Sequence, residues 1–264
     1  MSNIKVTLVQ TPLHWENPQA NRDMLEKKIS MMEDFSEIVV LPEMFTTGFT
    51  MQPEKYAESH MGESFQWMQK TAQERGVVMC GSIATRENGK YFNRLYWVTP
   101  DGSFQHYDKK HLFTFAGEDK HYSPGQEKVI VEYKGWKFLL LVCYDLRFPV
   151  WCKNNYTEEK GFDYDAIVCV ANWPEARSHP WRVLLMARAI ENQCFVIGVN
   201  RIGPDGNNIT HSGDSALISP MGENFSDLMP HDEKTETNPM PKCQLDDFRK
   251  KFRVANDWDS FSLR

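Results

Sequence analysis

Cys143 stands where an apolar run gives way to a turn-prone segment. The run KFLLLV precedes it and YDLRFP follows it. A buried strand that ends here would place the thiol on the turn leaving the sheet, from which a side chain can reach a ligand. A cysteine after an apolar run is more often simple packing, because free cysteine is among the most buried residue types. Cys143 is therefore a candidate nucleophile whose case depends on its partners.

A cysteine nucleophile needs a base or a lowered pKa, because an unperturbed thiol is mostly protonated at neutral pH. Histidine is the familiar partner, and His106 and His111 are available. Glu43, in IVVLPEMF, and Lys109, in YDKKHLF, each follow a strand-like run and are the alternatives. A charged residue at a strand end is usually a solvated surface group. The residues alone leave both kinds of partner open.

The other cysteines have no such context. Cys80, Cys169 and Cys194 lie within or at the start of apolar strands, and Cys152 and Cys243 are interpreted as structural or exposed. No Cys-x-x-Cys pair suggests a metal knuckle or a redox motif. Reduced thiols in the cytoplasm and no metal site are the expectation.

Composition narrows the class of protein. The 264 residues are 41% hydrophobic and 25% charged, which is ordinary globular usage, and their number suits one domain. The net charge of -6, without a long Lys/Arg cluster, gives no footprint for nucleic acid or an anionic membrane surface. The start MSNIKVTLVQ lacks the pattern of a secretory signal, and the longest central apolar run is too short to cross a bilayer. A small-molecule partner in the cytoplasm is predicted.

Strand-like and helical patterns alternate along the chain. The strand-like runs are residues 4–10, 37–41, 77–84, 129–133, 137–142, 165–171 and 195–200. Helical spacing occurs in residues 18–33, 64–75 and 179–193, and in the last of these Trp181, Leu184, Leu185 and Ile190 are available to face inward. Turn signals at residues 87–90 and 99–102 separate further strand-like runs at residues 91–98 and 103–109.

Hairpins that fall between βαβ units favour two β-layers with helices outside them. The prediction is an α/β fold, a four-layer αββα sandwich, in a single domain over residues 1–264. The polar, proline-containing residues 231–241 are expected to form an exposed connection. The segment from about residue 242, with a last element at residues 245–261, is expected to be a C-terminal extension.

Three segments carry a family resemblance. LPEMFTTGF, YDKKHLF and VCYDLRFP occur in this order between residues 41 and 149 and resemble the three signature segments of the nitrilase superfamily of carbon–nitrogen hydrolases. The resemblance continues through NWP, ARAIENQCFVIGVNRIG and HSGDSALISPMGE, and so covers nearly the whole chain. It implies the same αββα sandwich, usually paired through its sheets into a homodimer or a larger homo-oligomer.

The resemblance also assigns site residues. The Glu-Lys-Cys triad of the superfamily corresponds to Glu43, Lys109 and Cys143. Lys109 is chosen over Lys110 because the catalytic lysine stands two positions before His in the KxHLF pattern. A second glutamate before the SPG turn corresponds to Glu118, in GEDKHYSPG.

The mechanism that the resemblance implies suits these residue types. Glu43 would take the thiol proton, and the thiolate would attack an amide carbonyl to give an acyl thioester and ammonia. Lys109 and the backbone N–H of Tyr144 would hold the developing oxyanion. Such chemistry requires no metal and no organic cofactor.

Within the superfamily, MFTTGF, the NWP segment with Arg177 and Trp181, and the terminal FRKKFRVANDWDSF resemble the bacterial YafV-type omega-amidases. This subfamily implies a small anionic substrate, the amide of a 2-oxo dicarboxylic acid such as 2-oxoglutaramate or 2-oxosuccinamate. The far carboxylate would need a cation, for which Arg177 is the first candidate. Arg147 is the weaker candidate, because an arginine that fixes the nucleophile turn is the favoured interpretation there. Aromatic residues expected to line the pocket, unless they belong to the core, are Phe45, Phe49 and Trp173.

Three alternatives remain open. The substrate could be another aliphatic amide, or a peptide-derived amide such as deaminated glutathione, because the triad alone does not decide. The chain could be a non-catalytic binding protein that keeps the sandwich. It could also be a histidine-assisted cysteine hydrolase, in which His111 would matter as much as Glu43.

Overall fold

A computed structural model of the protein describes residues 3–32 and 35–259. The strands of these residues are, in chain order, β1 (Ile4–Gln10), β2 (Ile38–Val40), β3 (Glu58–Ser59), β4 (Val78–Glu87), β5 (Lys90–Val98), β6 (Phe104–Asp108), β7 (Ile130–Tyr133), β8 (Trp136–Val142), β9 (Tyr156–Thr157), β10 (Gly161–Phe162), β11 (Ala166–Ala171), β12 (Phe195–Asn200), β13 (Ile202–Pro204), β14 (Thr210–Ser212), β15 (Ala216–Ile218) and β16 (Lys234–Met240). The α-helices are α1 (Pro18–Ser30), α2 (Pro53–Tyr56), α3 (Glu63–Arg75), α4 (Pro149–Cys152), α5 (Ser178–Asn192) and α6 (Lys242–Lys251).

Two sheets organise the strands. The larger has the order β16-β1-β2-β4-β5-β6, with β3 beside β4, and the smaller has the order β15-β12-β11-β8-β7. The central strands of each sheet are parallel, β1 with β2 and β4, and β8 with β11 and β12. The hairpins β4–β5–β6 and β7–β8 add antiparallel strands at the sides. The carboxyl ends of parallel strands lie on the same side of a sheet. The candidate site described below lies at these strand ends.

The two sheets pack face to face through one apolar core. Trp97 of β5 meets Phe138 of β8 with ring centroids 4.9 Å apart. Because strand side chains alternate in direction, Ile38 and Val40 face this inner core, while Val39 faces an outer core. The outer core is completed by α1 and α3, and α5 covers the smaller sheet through Trp181 and its apolar neighbours. The predicted four-layer αββα sandwich is confirmed.

Several element bounds differ from the prediction. The first helix ends at Ser30, and the following strand is confined to Ile38–Val40. Ile190 of α5 is 53% exposed, so its predicted inward position is wrong. The inner face of α5 instead includes Arg188 and Asn192, polar residues whose side chains are hydrogen-bonded. Residue 33 of the predicted first helix and residues 260 and 261 of the predicted last element lie outside the described residues.

Most of the segment predicted as an exposed connection, residues 231–241, is the edge strand β16 (Lys234–Met240), and only residues 231–233 before it are exposed outside a strand. β16 pairs with β1 in antiparallel register from Ile4 with Met240 to Gln10 with Lys234. Thr235 and Thr237 favour extended backbone, and Pro239 is tolerated because the strand lies at the edge of its sheet. Polar composition therefore misled the prediction for this segment.

The segment after residue 242 is docked on the sandwich through charge and packing. Lys242 Nζ lies 2.6 Å from Asp165 Oδ2, and Arg249 Nη1 lies 2.7 Å from Asp165 Oδ1. Leu245 of α6 joins the inner core. None of the helices in the described residues combines the length and the apolar character needed to cross a bilayer.

Candidate active site

The ends of four strands supply the polar residues of the site. Glu43 follows β2 after two further residues, Leu41 and Pro42, and Lys109 directly follows β6. Cys143 directly follows β8, and Asn172 directly follows β11. The polar side chains of the candidate site thus stand within three residues beyond the carboxyl ends of four strands.

Lys109 joins two carboxylates in the interior. Its Nζ lies 2.9 Å from Glu43 Oε1 and 2.9 Å from Glu118 Oε2. Glu43 and Glu118 are fully buried, and Lys109 is 1% exposed. Charges removed from water in this way persist only when they are paired and hydrogen-bonded. The surrounding residues must therefore supply hydrogen bonds that stabilise this buried cluster of charges.

Neighbouring donors satisfy the carboxylate oxygens. Asn93 Nδ2 donates to Glu43 Oε1 at 2.7 Å and to Glu118 Oε1 at 3.3 Å. The backbone N–H of Asn172 donates to Glu43 Oε2 at 2.7 Å, and that of Phe113 donates to Glu118 Oε2 at 2.6 Å. These bonds fix both carboxylates in one orientation relative to Lys109.

The charges act on each other through a low-dielectric interior. Burial alone would lower the pKa of Lys109, but Glu118 and Glu43 outweigh it and raise that pKa well above its ordinary value. Burial raises the pKa of the Cys143 thiol well above its ordinary value, and the charge of Glu43 raises it further while Lys109 opposes the shift. The resting site therefore holds an ammonium and a protonated thiol.

The nucleophile turn has an unusual backbone. Cys143 adopts φ 46°, in the left-handed region, at the start of a 3₁₀ turn over Cys143–Arg147. Such a conformation is disfavoured for a residue with a side chain and persists only where the surroundings impose it. Asp145, two residues on, accepts the backbone N–H of Val142 at 3.0 Å and so closes the turn.

The histidines considered as partners lie elsewhere. His111 is hydrogen-bonded to Asp145 and stacks on Phe148 with ring centroids 3.7 Å apart. His106 lies on β6 beside His60, with ring centroids 5.4 Å apart. Neither His106 nor His111 lines the cavity onto which Cys143 opens.

That cavity has a volume of about 260 Å³. Among the predicted site residues its walls include the nucleophile candidate, the lysine, and five of the six proposed substrate contacts. These are Cys143, Lys109, Phe49, Tyr144, Arg147, Trp173 and Arg177. Lys109 Nζ lies 5.1 Å from the centroid of the Phe49 ring, so this aromatic face covers the ammonium.

Phe45 is the exception, and its predicted place in the pocket is wrong. It is fully buried in the outer core, where its ring centroid lies 5.8 Å from that of Trp67. The turn begins at Met44 with φ 42°, so Glu43 and Phe45 do not share a side as alternate residues of a strand would. Phe45 therefore belongs to the outer core and not to the cavity wall.

The two arginines both reach the cavity, and neither guanidinium has a hydrogen-bond or ion-pair partner in the described residues. Arg147 instead lies over Trp173, 4.7 Å from its ring centroid. Arg177 lies 5.4 Å from the ring centroid of Phe113 and 5.8 Å from that of Phe115. Within residues 3–32 and 35–259, Arg147 makes none of the side-chain hydrogen bonds expected of an arginine that fixes the nucleophile turn.

Several wall residues were not predicted. Asp205, Ile209 and His211 come from the hairpin of β13 and β14. Their approach depends on tertiary folding and has no local sequence signal. Asn93 could have been suspected as a polar residue inside the strand-like run YFNRLYWV, and Asn172 from its place directly after a strand.

In the described residues, no group of three or more His, Cys, Asp or Glu is arranged to hold a metal ion.

Comparison with known proteins gives consistent matches. The profile of the carbon-nitrogen hydrolase family matches residues 5–247. Omega-amidase YafV of Escherichia coli strain K12 is 41% identical over 265 residues, which covers 100% of both chains. The 2-oxoglutaramate amidase of Bacillus subtilis strain 168 is 35% identical over 220 residues, covering 82% of this chain and 83% of that protein.

Among solved structures, a CN-hydrolase superfamily protein from Xanthomonas campestris superposes with a TM-score of 0.97. It is 41% identical, and the match covers 100% of both chains. Its active site carries an arsenic adduct.

Proposed function

Because the chain belongs to the carbon-nitrogen hydrolase family, we propose that it is an omega-amidase, which releases ammonia from the distal amide of a 2-oxo dicarboxylic acid. Family and relatives make it an amide-hydrolysing enzyme. The finer assignment follows the names of its relatives, Omega-amidase YafV and 2-oxoglutaramate amidase.

The observation that carries the proposal is the ion cluster beside the thiol. Lys109 lies 2.9 Å from Glu43 at the back of a cavity that Cys143 also lines. A carboxylate, an ammonium and a thiol at one strand-end pocket supply a base, an oxyanion donor and a nucleophile. A protein that only binds a partner has no need to bury such a cluster.

In the first half of the reaction, Glu43 takes the proton from Cys143 as sulfur attacks the amide carbon. The raised pKa of the thiol means that this proton must be removed during attack. Lys109 and the backbone N–H of Tyr144 stabilise the oxyanion, a contribution of about 3 kcal/mol per donor. The C–N bond then breaks, the nitrogen takes the proton from Glu43, and ammonia leaves a thioester on Cys143.

In the second half, water replaces ammonia. Glu43 removes a proton from the water as its oxygen attacks the thioester carbon. The C–S bond breaks, the proton on Glu43 returns to sulfur, and the product leaves as an acid. Glu118 holds Lys109 in place throughout through its own hydrogen bonds, 2.9 and 3.1 Å long.

The cavity suits a small anionic amide. Its volume of about 260 Å³ is at the low end for ligand sites, and its walls carry more cations than free carboxylates. Arg177 is proposed to bind the carboxylate at the end of the substrate remote from the amide. Phe49, Tyr144 and Trp173 would enclose the carbon chain.

The test is ammonia release across a panel of amides. The panel consists of 2-oxoglutaramate, 2-oxosuccinamate, glutamine and a peptide amide, at equal enzyme concentration. The proposal expects kcat/KM to be highest for the two 2-oxo acids. Equal rates, or a preference for the peptide amide, would overturn it in favour of a general or peptide-derived amidase.

The nucleophile is tested separately with Cys143→Ala. This change should abolish turnover while thermal unfolding stays within a few degrees of the wild type. Rapid acid quench of the wild type with substrate should add the mass of one acyl group on the peptide that contains Cys143. Activity that survives in the variant would exclude this thiol as the nucleophile.

A further inference from the structure

Arg147 and Arg177 bring two guanidinium groups to one small cavity without anionic partners in the described part of the chain. Each rests on aromatic rings instead, Arg147 on Trp173 and Arg177 on Phe113 and Phe115. Attraction of a guanidinium to an aromatic ring does not use up its N–H donors, so these stay free for a ligand. Two sets of forked donors are therefore available to a ligand.

Trp173 fixes the relation between the two arginines. Its ring supports Arg147, and its Nε1 donates to the backbone carbonyl of Arg177 at 2.7 Å. The aromatic rings beside the two arginines differ in burial. Trp173, beside Arg147, is 3% exposed, whereas Phe115, beside Arg177, is 83% exposed. Arg147, which is also on the turn of Cys143, is thus the inner cation, and Arg177 is the outer one.

The other charged wall residues do not use the N–H donors of these two arginines. Asp205 is occupied by its own loop, since Oδ1 accepts the backbone N–H groups of Asn207 at 2.8 Å and Ile209 at 3.0 Å. Lys109 is matched by the carboxylates behind it. His211 is neutral near pH 7, because burial and then the charge of Arg201 lower its pKa to about 4. Arg147 and Arg177 therefore keep their N–H donors available, and the walls carry three cationic side chains, Lys109 included, against the one carboxylate of Asp205.

We propose that Arg147 selects the oxygen at position 2 of the substrate and that Arg177 takes the neighbouring carboxylate. The order of the groups supports this division. In a 2-oxo dicarboxylic monoamide the amide lies at one end, the carboxylate at the other, and the oxo group one carbon nearer the amide. The inner guanidinium, Arg147, would then meet the oxo group, and the outer one, Arg177, would meet the carboxylate. This inference rests on the proposed omega-amidase function.

The same arrangement rejects an amino acid of equal length. Glutamine places an ammonium where the 2-oxo oxygen would lie, next to the inner guanidinium. Two like charges at contact distance in a partly desolvated cavity repel strongly. A polar site also rejects an analogue that lacks the matching group, because its donors then stay unpaired. Arg147 is therefore inferred to be a specificity-determining residue.

The test compares three substrates that differ only at position 2. They are 2-oxoglutaramate, pentanedioic acid monoamide, which lacks the oxo group, and glutamine. Steady-state kinetics would be measured for the wild type, Arg147→Gln, Arg147→Lys and Arg177→Gln. Arg75→Gln is the matched control, since it removes an exposed arginine at the end of α3, remote from the cavity walls.

Arg147→Gln should lower kcat/KM for 2-oxoglutaramate by about 10- to 100-fold, as expected for losing a charge-assisted hydrogen bond. The loss for the monoamide without the oxo group should be under about 3-fold. The ratio of kcat/KM for 2-oxoglutaramate to that for the monoamide without the oxo group should therefore fall towards 1 in this variant. The ratio of kcat/KM for 2-oxoglutaramate to that for glutamine should also become smaller than in the wild type. Arg177→Gln should instead lower kcat/KM by a similar factor for 2-oxoglutaramate and for the monoamide without the oxo group. Arg75→Gln should leave kcat/KM for both substrates unchanged.

Equal losses on the first two substrates after Arg147→Gln would overturn the inference and indicate that the residue positions the nucleophile turn. A preference retained by that variant would overturn it as well. Failure of the proposed function looks different. In that case the wild type itself would show no preference for the 2-oxo acid over the monoamide that lacks the oxo group.

Discussion

Asp145 and His111 are joined by two hydrogen bonds. Asp145 Oδ1 accepts the backbone N–H of His111 at 2.9 Å and lies 2.8 Å from its Nδ1. The second oxygen, Oδ2, accepts the backbone N–H of Val142 and the hydroxyl of Tyr107. One buried carboxylate therefore ties the segment that carries Lys109 to the turn that carries Cys143.

His111→Ala is expected to retain most of the activity. The imidazole does not line the cavity, and its backbone N–H can still bind Asp145 after the change. We predict a loss in kcat below about 10-fold for His111→Ala and of at least about 100-fold for Glu43→Ala, the lower bound for removing a general base. Parallel kinetics on the two variants give the comparison. Equal losses would favour the histidine-assisted mechanism.

Asp145→Asn is expected to lower kcat more than it changes KM. The amide presents N–H donors where the carboxylate accepts from Val142, His111 and Tyr107, so one side must face another donor. Disrupting a buried network of this kind should lower the free energy of unfolding by about 3 kcal/mol. We expect kcat to fall by about 10- to 100-fold, because a displaced turn misplaces the thiol.

Active-site titration distinguishes this positioning role from simple loss of folded protein. If kcat per titrated thiol is unchanged in Asp145→Asn, the carboxylate contributes only to stability. Urea unfolding of the same preparations supplies the stability term.

Alkylation of Cys143 should report its raised pKa. In a Cys243→Ser background, which removes an exposed competing thiol, the rate with iodoacetamide should be low at pH 7 and still rising at pH 9. Glu43→Gln removes a negative charge that disfavours the thiolate, so it should lower the thiol pKa and shift the profile to lower pH. A rate already level below pH 7 in the wild-type site would contradict this prediction and indicate a resting thiolate.

His211 should make the protein less stable in mild acid. Its pKa is lowered from 6.5 to about 4 in the folded state, so the unfolded chain binds more protons between these values. Stability is therefore fully present above about pH 6.5 and is lost as the pH falls to about 4, by roughly 3 kcal/mol.

Urea unfolding at pH 7, 6, 5 and 4 checks this slope. His211→Asn, which can still donate to Gly203, should be less stable at pH 7 but should lose less on acidification. His179→Asn, at an exposed position of α5, is the matched control. A slope unchanged by His211→Asn would assign the acid sensitivity to other groups.

The sequence predicts those features of the fold and the site that depend on residues close together in the chain. Glu43, Lys109 and Cys143 each stand near the end of a strand-like run, which made them candidates, and the resemblance to the signature segments of the superfamily selected them as one triad. Most strands and helices followed from periodicity, but several bounds did not, since the first helix ends at Ser30 and the strand after it is confined to Ile38–Val40. The αββα layers followed from hairpins lying between βαβ units.

The sequence was misleading where tertiary contacts decide. Phe45 is predicted to line the pocket as an aromatic residue near a strand end, but a turn directs it into the outer core. Asp205 and His211 reach the cavity from a hairpin that only the packed sheets bring near it. The sequence favours a structural role for Arg147, but the choice between a structural and a ligand-binding arginine depends on whether its donors are already used, which only the folded structure shows.

The pairing of β16 with β1 has a consequence for the protein while it is being made. The two strands match at every position from Ile4 with Met240 to Gln10 with Lys234, across nearly the whole length of the chain. Contacts between such distant segments form late, because a long loop must close first. One edge of β1 therefore stays uncovered on the nascent chain until residues 234–240 leave the ribosome. An uncovered strand edge can pair with other chains, so incomplete chains are the form of this protein most prone to aggregate.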